Sequence, residues 1–311
     1  MTDDHLPAVT ILMACHQGAA HLEAQLASIA AQEGVDWRLV ASDDGSTDGT
    51  RAILERFRAD HPSRVILRQG PSHGSPWGAA AHFLDLLCDP TLSDGPVALS
   101  DQDDVWYPDK LKQALLYLET APPGPAAYSA RSRHVRADGT PLGLSRSYRG
   151  GPSCGNALVE NRLSGHATVL NAQAVALVRA VGPVPVPYHD WWLYLLITGA
   201  GGTVINDPVA RLEYRQHGDN VLGAPRGLAA RLARMAVVLG RDGPILQAAN
   251  RTALRQAHPH LKPEARALLQ AIDTAPRYGP ARARALRRFG VQRHDYVADA
   301  FLWLVAALGR V

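Results

Sequence analysis

The first 120 or so residues alternate apolar runs with segments of helical period, and that alternation leaves a parallel α/β sheet as their simplest fold. Ala8–Ala14 (AVTILMA) is almost continuously apolar, the pattern of a strand buried on both faces of a parallel sheet. Leu22, Leu26 and Ile29 then recur at helical spacing. Trp37–Ala41 reads as a second strand that ends in the polar turn SDDGSTDGT. Ile53, Leu54 and Phe57 mark the next helix, Val65–Leu67 a third strand and Ala79–Leu87 a third helix. Val97–Leu99 forms a short fourth strand that runs straight into SDQDDVW. Strands joined by single helices imply right-handed crossovers. In such sheets ligands sit outside the carboxyl ends of the strands, where both acidic loops fall.

Beyond this point the pattern changes. Residues 121–165 are rich in Gly, Pro, Ser and Arg and weakly periodic, which predicts a long irregular excursion over the site. Regular structure is expected again at Ala167–Asn171 (strand), from Ala172 and from about Asp190 (helices) and at Val209–Tyr214 (strand). From Pro225 the chain reads as helical and Arg-rich (RGLAARLARM, ARARALRRFG), with a boundary near residue 222 and no internal repeat.

Composition removes several function classes. The 46% hydrophobic and 20% charged residues are ordinary for a globular chain, and a net charge of +3 gives no reason to expect nucleic acid. Cys15, Cys88 and Cys154 are an odd, sparse set without CxxC spacing, which fits a reducing compartment. The acidic, polar start MTDDHLPAVT does not read as a signal peptide. No run reaches the roughly 18–20 apolar residues that span a bilayer. Tyr296–Leu308 comes nearest and carries Asp299. The expectation is a cytoplasmic protein, soluble or peripheral on the inner face of the membrane.

Four clusters carry chemistry, each with a plainer alternative. Asp101, Asp103 and Asp104 place three carboxylates in four residues. A divalent cation would relieve their repulsion, because Mg²⁺ and Mn²⁺ favour oxygen ligands, and would hold a diphosphate. The alternative is a solvated turn capping the helix after Pro108. Asp43 and Asp44, in a Gly- and Ser-rich loop, could hydrogen-bond a base and ribose or merely cap the next helix. Asp190, beside Trp191 and Trp192, suits a general base with a flat apolar wall, or an N-cap followed by core aromatics. Arg215 and His217, just after a strand, could bind phosphate and metal, or be structural.

The succession ILMACHQGAAHLEAQLASI, VASDDGSTDGT, GAAAHFLDLL, LSDQDDVWYPDKL, NRLSGHATVLN, HDWW and YRQHGDNVLG resembles the family 2 inverting glycosyltransferases, and more narrowly their bacterial rhamnosyltransferase-like branch. The resemblance covers roughly residues 8–222. It implies a GT-A fold over 1–222, with a nucleotide-sugar-binding half (8–120) and an acceptor-binding half (121–222), and a helical region over 223–311. It implies that Ala14, Cys15, His16, Gln17, Asp43 and Asp44 hold the donor's base and ribose. Asp103 would be the principal ligand of a Mn²⁺ or Mg²⁺ ion, with Asp101 on ribose or metal, His217 near the metal or pyrophosphate, and Arg215 assisting. Asp190 would be the catalytic base. Three positions depart from the family pattern: Cys15-His16-Gln17 replaces Thr-Tyr-Asn, His82 replaces Asn, and Gly165-His166 replaces Gly-Cys.

The implied activity is transfer of a sugar, rhamnose among the candidates, from a UDP- or dTDP-linked donor to a hydroxyl of a glycan or lipid-linked acceptor in cell-surface polysaccharide synthesis. The Arg-rich helices and apolar tail would either dock on an anionic membrane or pack back on the catalytic domain. A sugar-1-phosphate nucleotidyltransferase would carry a G-x-G-x-R loop near the N-terminus, and a dehydrogenase G-x-G-x-x-G; residues 8–20 have neither. A catalytically inactive nucleotide-sugar-binding module is the non-enzyme alternative.

Overall fold

The computed structural model describes residues 6–71, 78–216, 242–276 and 278–309. The first half is built as the alternation predicts. β1 (Ala8–Cys15), β2 (Asp36–Asp43), β3 (Val65–Gln69) and β4 (Val97–Ser100) pair in parallel in the order β3-β2-β1-β4. Between them run α1 (Leu22–Ala30), α2 (Thr50–Asp60) and α3 (Gly78–Leu87), and α4 (Lys110–Glu119) follows the acidic loop. Side chains of β1 alternate between two cores, Leu12 facing one and Ile11 and Met13 the other. This two-sided burial is why the strand reads as a continuous apolar run.

The second half corrects one expectation. The stretch 121–165 contains β6 (Ala126–Arg136), an eleven-residue strand inside the sheet, and β7 (Pro141–Leu144) paired to it. β6 carries little hydropathy signal because its sequence, AAYSARSRHVR, uses Ala and Ser where larger residues would declare a buried face. The sheet continues β4-β8-β6-β9-β5, with β8 (Thr168–Leu170) antiparallel to β4 and β6, and β5 (Val105–Trp106) antiparallel to β9. β9 runs Thr203–Gln216, longer than the expected 209–214, and pairs in parallel with β6. Its early part is masked in sequence by Pro208, accommodated where the register jumps from Ala130↔Asp207 to Arg131↔Ala210.

Around the second half lie the single turn α5 (Cys154–Ala157), α6 (Ala172–Val181) and α7 (His189–Gly199). Asn171 caps α6, accepting from Ala174 N at 2.8 Å, and also takes Ala126 N at 2.9 Å, which ties the helix start to β6. α8 (Asp242–Gln256), α9 (Pro263–Thr274), α10 (Pro280–Arg288) and α11 (Tyr296–Ala307) complete the chain. Pro263 and Pro280 open their helices at positions where no amide hydrogen bond is lost.

The C-terminal helices pack back on the sheet's helical layer. Leu254, Leu261, Leu268, Leu286 and Leu302 share one core with Leu193–Ile197 of α7. At Gly155 a Cβ would meet the backbone of Phe289 and Gly290 at 2.4–2.6 Å, so only glycine admits that approach. Beside it the buried Glu160 accepts from Asn156 Nδ2 (3.0 Å) and His294 N (3.1 Å) and faces Arg293 and Arg162. The expected boundary near 222, and His217, lie outside the described residues.

Candidate active site

The pairing register assembles the site. Cys15 lies opposite Asp43, and Met13 opposite Ser100, so the ends of β1, β2 and β4 share one rim with the acidic loop. Ala14 and Cys15 finish β1; His16 and Gln17 follow it, exposed. His16 N donates to Gln102 Oε1 and Gln102 Nε2 donates to His16 O, both at 2.8 Å. His16 Nδ1 lies 2.9 Å from Asp44 O. Gln17 sits at φ +50°, a conformation L residues rarely adopt, with its side chain bonded to Thr47. The loop after β2 has the geometry of its plainer reading: Asp43 Oδ1 takes the Ser46 hydroxyl at 2.5 Å, and Asp48 Oδ1 caps Thr50 N at 3.0 Å. Capping and ligand binding are compatible, since it leaves a rigid loop on the rim. His82 donates to or accepts from Ser42 Oγ at 2.7 Å and fixes α3 beneath that loop.

The acidic cluster is sunk into the rim, Asp101 and Asp103 partly exposed and Asp104 buried. Asp104 is wholly buried; its Oδ1 accepts from Arg215 N at 3.4 Å and its Oδ2 has no hydrogen-bond partner. Burial, with Asp101 and Asp103 adding their charge, raises the Asp104 carboxyl well above the usual carboxylate range. Burial and the charges of Asp103 and Asp190 push Asp101 up to about 7. Lys110, also fully buried, stands 3.5 Å from the centre of the Trp106 ring, and burial brings its ammonium down to about 7 against the pull of Asp104. Cys15 belongs to the same field: burial, then Asp43 and Asp103, raise its thiol. Arg215 ties the loop down, Nε donating to Asp103 O (3.3 Å) and Nη1 to Ala137 O (2.8 Å).

A divalent cation fits these residues, though through a set only partly foreseen. Asp101, Asp104 and His166 bring ligand atoms within 4.8 Å of one another. His166 occupies the 3₁₀ turn Gly165–Ala167 before β8, and its ring stacks on Tyr214 at 4.5 Å. Its Nε2 is buried without a hydrogen-bond partner, and burial, then Lys110, brings it down to about 3, so the imidazole is neutral and able to ligate. The two carboxylates suit Mn²⁺ or Mg²⁺, and the imidazole favours Mn²⁺ over the strictly oxygen-seeking Mg²⁺. Asp103 stands outside this group of three. The Gly-Cys position filled by His166 was the only trace of that ligand in the sequence.

Asp190 comes to the same rim on the first turn of α7, partly exposed; the N-cap is Tyr188. Its Oδ2 accepts from Gly165 N at 3.2 Å and its Oδ1 from Trp191 N at 2.7 Å. The tryptophans divide: Trp192 is fully buried, whereas Trp191 is partly exposed with its indole N–H on Ala157 O at 2.6 Å. His189 packs on Phe83 at 4.4 Å and lies so close to Gly165 that a Cβ there would meet Nε2 at 2.6 Å. That contact explains the glycine that hands its amide to Asp190.

Comparison with known proteins agrees with this geometry. The glycosyl transferase family 2 description matches residues 10–144. A dTDP-rhamnosyl transferase RfbG of Shigella flexneri is 30% identical over 235 residues, 73% of this chain and 78% of that protein. A teichuronic acid biosynthesis glycosyltransferase, TuaG of Bacillus subtilis, named as putative, is 30% identical over 44% of this chain and 51% of its own. Two solved structures share the fold. The mannosyltransferase PcManGT from Pyrobaculum calidifontis, in complex with GDP-Man and Mn²⁺, gives a TM-score of 0.52 at 20% identity, covering 98% of this chain and 84% of that one. TarS 1–349 of S. aureus, in complex with UDP-GlcNAc, gives 0.54 at 14%, covering 97% and 88%. The chain belongs to glycosyl transferase family 2. It is a glycosyltransferase of GT-A fold, similar to rhamnosyltransferases, and the nucleotidyltransferase and inactive-module alternatives fall away.

Proposed function

We propose that this enzyme transfers a deoxyhexosyl group, rhamnose foremost, from a dTDP-linked donor to a hydroxyl of a lipid-linked glycan in cell-surface polysaccharide synthesis, inverting the anomeric centre. The observation that carries the chemistry is the placement of Asp190 beside the acidic loop: it accepts from Gly165 N at 3.2 Å, and the next residue, His166, has a ring nitrogen within 4.8 Å of the Asp101 and Asp104 carboxylates. The donor assignment rests on the name of the Shigella relative.

In this reading the rim residues from Ala14 to Gln17, with Asp43 and Asp44, hold base and ribose. Asp190 takes the acceptor's hydroxyl proton as that oxygen bonds to the anomeric carbon, and the bond from that carbon to the diphosphate breaks toward the opposite face. The amides of Gly165 and Trp191 fix the carboxylate for that step. Asp101, Asp104 and His166, with Asp103 alongside, would hold the divalent ion, which when bound neutralises charge on the departing diphosphate. Arg215 keeps the acidic loop in place for it.

A peripheral membrane contact extends the proposal. No helix among the described residues is long and apolar enough to cross a membrane. What supports contact is the outer face of α11, where Tyr296, Val297 and Leu304 are 57–85% exposed, followed by the exposed Leu308. Arg284, Arg287 and Arg288 of α10 are exposed, and Arg287 lies 5.5 Å from the Trp303 ring, which puts cations beside that face. An apolar stripe edged by arginine suits an anionic bilayer.

The donor is tested by incubating the full chain with Mn²⁺ and dTDP-rhamnose, UDP-GlcNAc or GDP-mannose, and following thermal stabilisation and slow hydrolysis without acceptor. dTDP-rhamnose is expected to give the largest effect on both. A stronger response to either other donor refutes the donor assignment.

A further inference from the structure

A cavity opens beside the Gly165 turn, lined on that side by Ser164. It encloses about 190 Å³ between β6, the segment after β7, the approach to the Gly165 turn, and β9. At about 30 Å³ per liquid water it has room for an anionic group with part of its hydration shell. The bulge that lets Pro208 into β9 forms one wall, so the strands part where Ala130, Arg131, Asp207 and Pro208 meet.

Its lining is basic and hydroxylic. Arg131, Arg146 and Arg162 line it together with Ser129, Ser164 and Tyr148. Arg162 is 4% exposed; its terminal nitrogens hold Gly150 O and Arg149 O, while its Nε has no hydrogen-bond partner. Glu160, 3.7 Å from that Nε, already serves Arg293 and His294. Arg131 bonds only the carbonyl of Ser145, and Arg146 is exposed. Among the described residues neither forms an ion pair with a carboxylate. Asp207, the one lining carboxylate, is occupied by Tyr128 Oη (2.7 Å), Arg211 Nε (3.1 Å) and Val209 N (2.9 Å). The cavity therefore carries surplus positive charge, which guanidinium groups direct to phosphate or carboxylate.

The cavity also adjoins the chemistry. Ser129 Oγ accepts from Ser164 N at 3.2 Å, and the next amide, Gly165 N, donates to Asp190. The charge of Asp190 reaches Tyr148, whose hydroxyl is pushed up to about 12, by burial first and then by Glu160.

We propose that this cavity is an acceptor subsite for an oxyanion, a phosphate or carboxylate near the accepting hydroxyl, held by Arg131, Arg146 and Arg162. The inference rests on the reading of Asp190 as base and adds the acceptor's chemical class. It is tested by calorimetry on the full chain, with the donor site saturated by dTDP and Mn²⁺. The probes are phenyl phosphate, phenyl β-glucuronide and the neutral phenyl β-glucoside. At least one anionic probe is expected to bind, the neutral one at least ten-fold more weakly. Binding of phenyl phosphate alone assigns the group as phosphate, and of the glucuronide alone as carboxylate. Arg146→Glu, on an exposed side chain, should weaken the bound anion at least ten-fold. R131Q/R146Q should do the same, its fold checked by circular dichroism. Equal affinity for all three probes, no anion binding, or anion binding indifferent to both arginine variants overturns the subsite. Because the readout needs no sugar transfer, failure of the rhamnosyl assignment leaves it intact, and failure of the subsite leaves transfer intact.

Discussion

Replacing Glu160 by Gln tests how the C-terminal helices are held. Glu160 is 4% exposed and meets two segments distant in sequence: Asn156 and Arg162 around α5, and Arg293 and His294 between α10 and α11. Burial alone would push its carboxyl up, but Arg293, the Asn156 amide and His294 hold it below the usual range. Glutamine keeps the shape and one acceptor oxygen but leaves buried guanidinium groups without counter-charge, a loss of about 3–5 kcal/mol. For 311 residues, unfolding entropy makes 1 kcal/mol worth about 1.5 °C, so Tm should fall by roughly 5–8 °C at pH 7.5. The sign with pH follows from the lowered folded value. The carboxylate's contribution is present above the unfolded Glu pKa of about 4.3 and is lost as pH falls through the folded value. Calorimetric melts of both proteins at pH 7.5 and 3.5 should therefore show a gap that is narrower in acid. A neutral-pH gap below about 2 °C, or one equally large at pH 3.5, would refute the reasoning.

Asp190→Asn should lower transfer by roughly 10²–10⁴-fold with donor affinity unchanged by calorimetry; unchanged turnover removes Asp190 from the mechanism. His166→Ala should weaken Mn²⁺ binding in the presence of dTDP by at least ~10-fold, read by electron paramagnetic resonance of free Mn²⁺. The same affinity in that variant would exclude the imidazole as a ligand. Gly70→Ala puts a Cβ 2.7 Å from the Asp44 Cα, so Tm and dTDP affinity should drop together, and a neutral outcome would mean the rim loop yields freely. Vesicles containing anionic phospholipid should carry the full chain upward in a flotation gradient, and V297E/L304E should abolish this; protein that stays at the bottom argues against membrane contact.

Much of this was legible in the sequence. Strands β1 and β4 are legible because burial on both faces demands apolar runs, β2 by its apolar Leu39–Ala41 after Arg38, and the ends of β2 and β4 locate the two acidic loops. β6 was hidden because small side chains fill a tight layer there: Ala126, Ala127 and Ser129 are buried without a hydropathy signal. The first half of β9 was hidden by Asp207 and Pro208, residues that strands rarely carry except at a bulge. At the site, Asp101, Asp103 and Asp190 could be picked out by carboxylate type and position. His166 could not, because a lone histidine acquires meaning only when the fold sets it against Asp101 and Asp104.

The two-bond clasp between Gln102 and His16 has an engineering consequence. It staples the segment proposed to face the donor's base to the one proposed to face its phosphates, tying the movement of one to the other. A transplant meant to redirect nucleotide preference would have to exchange both stretches at once; swapping residues 14–17 alone would leave Gln102 gripping a foreign backbone and disturb the carboxylates on either side of it.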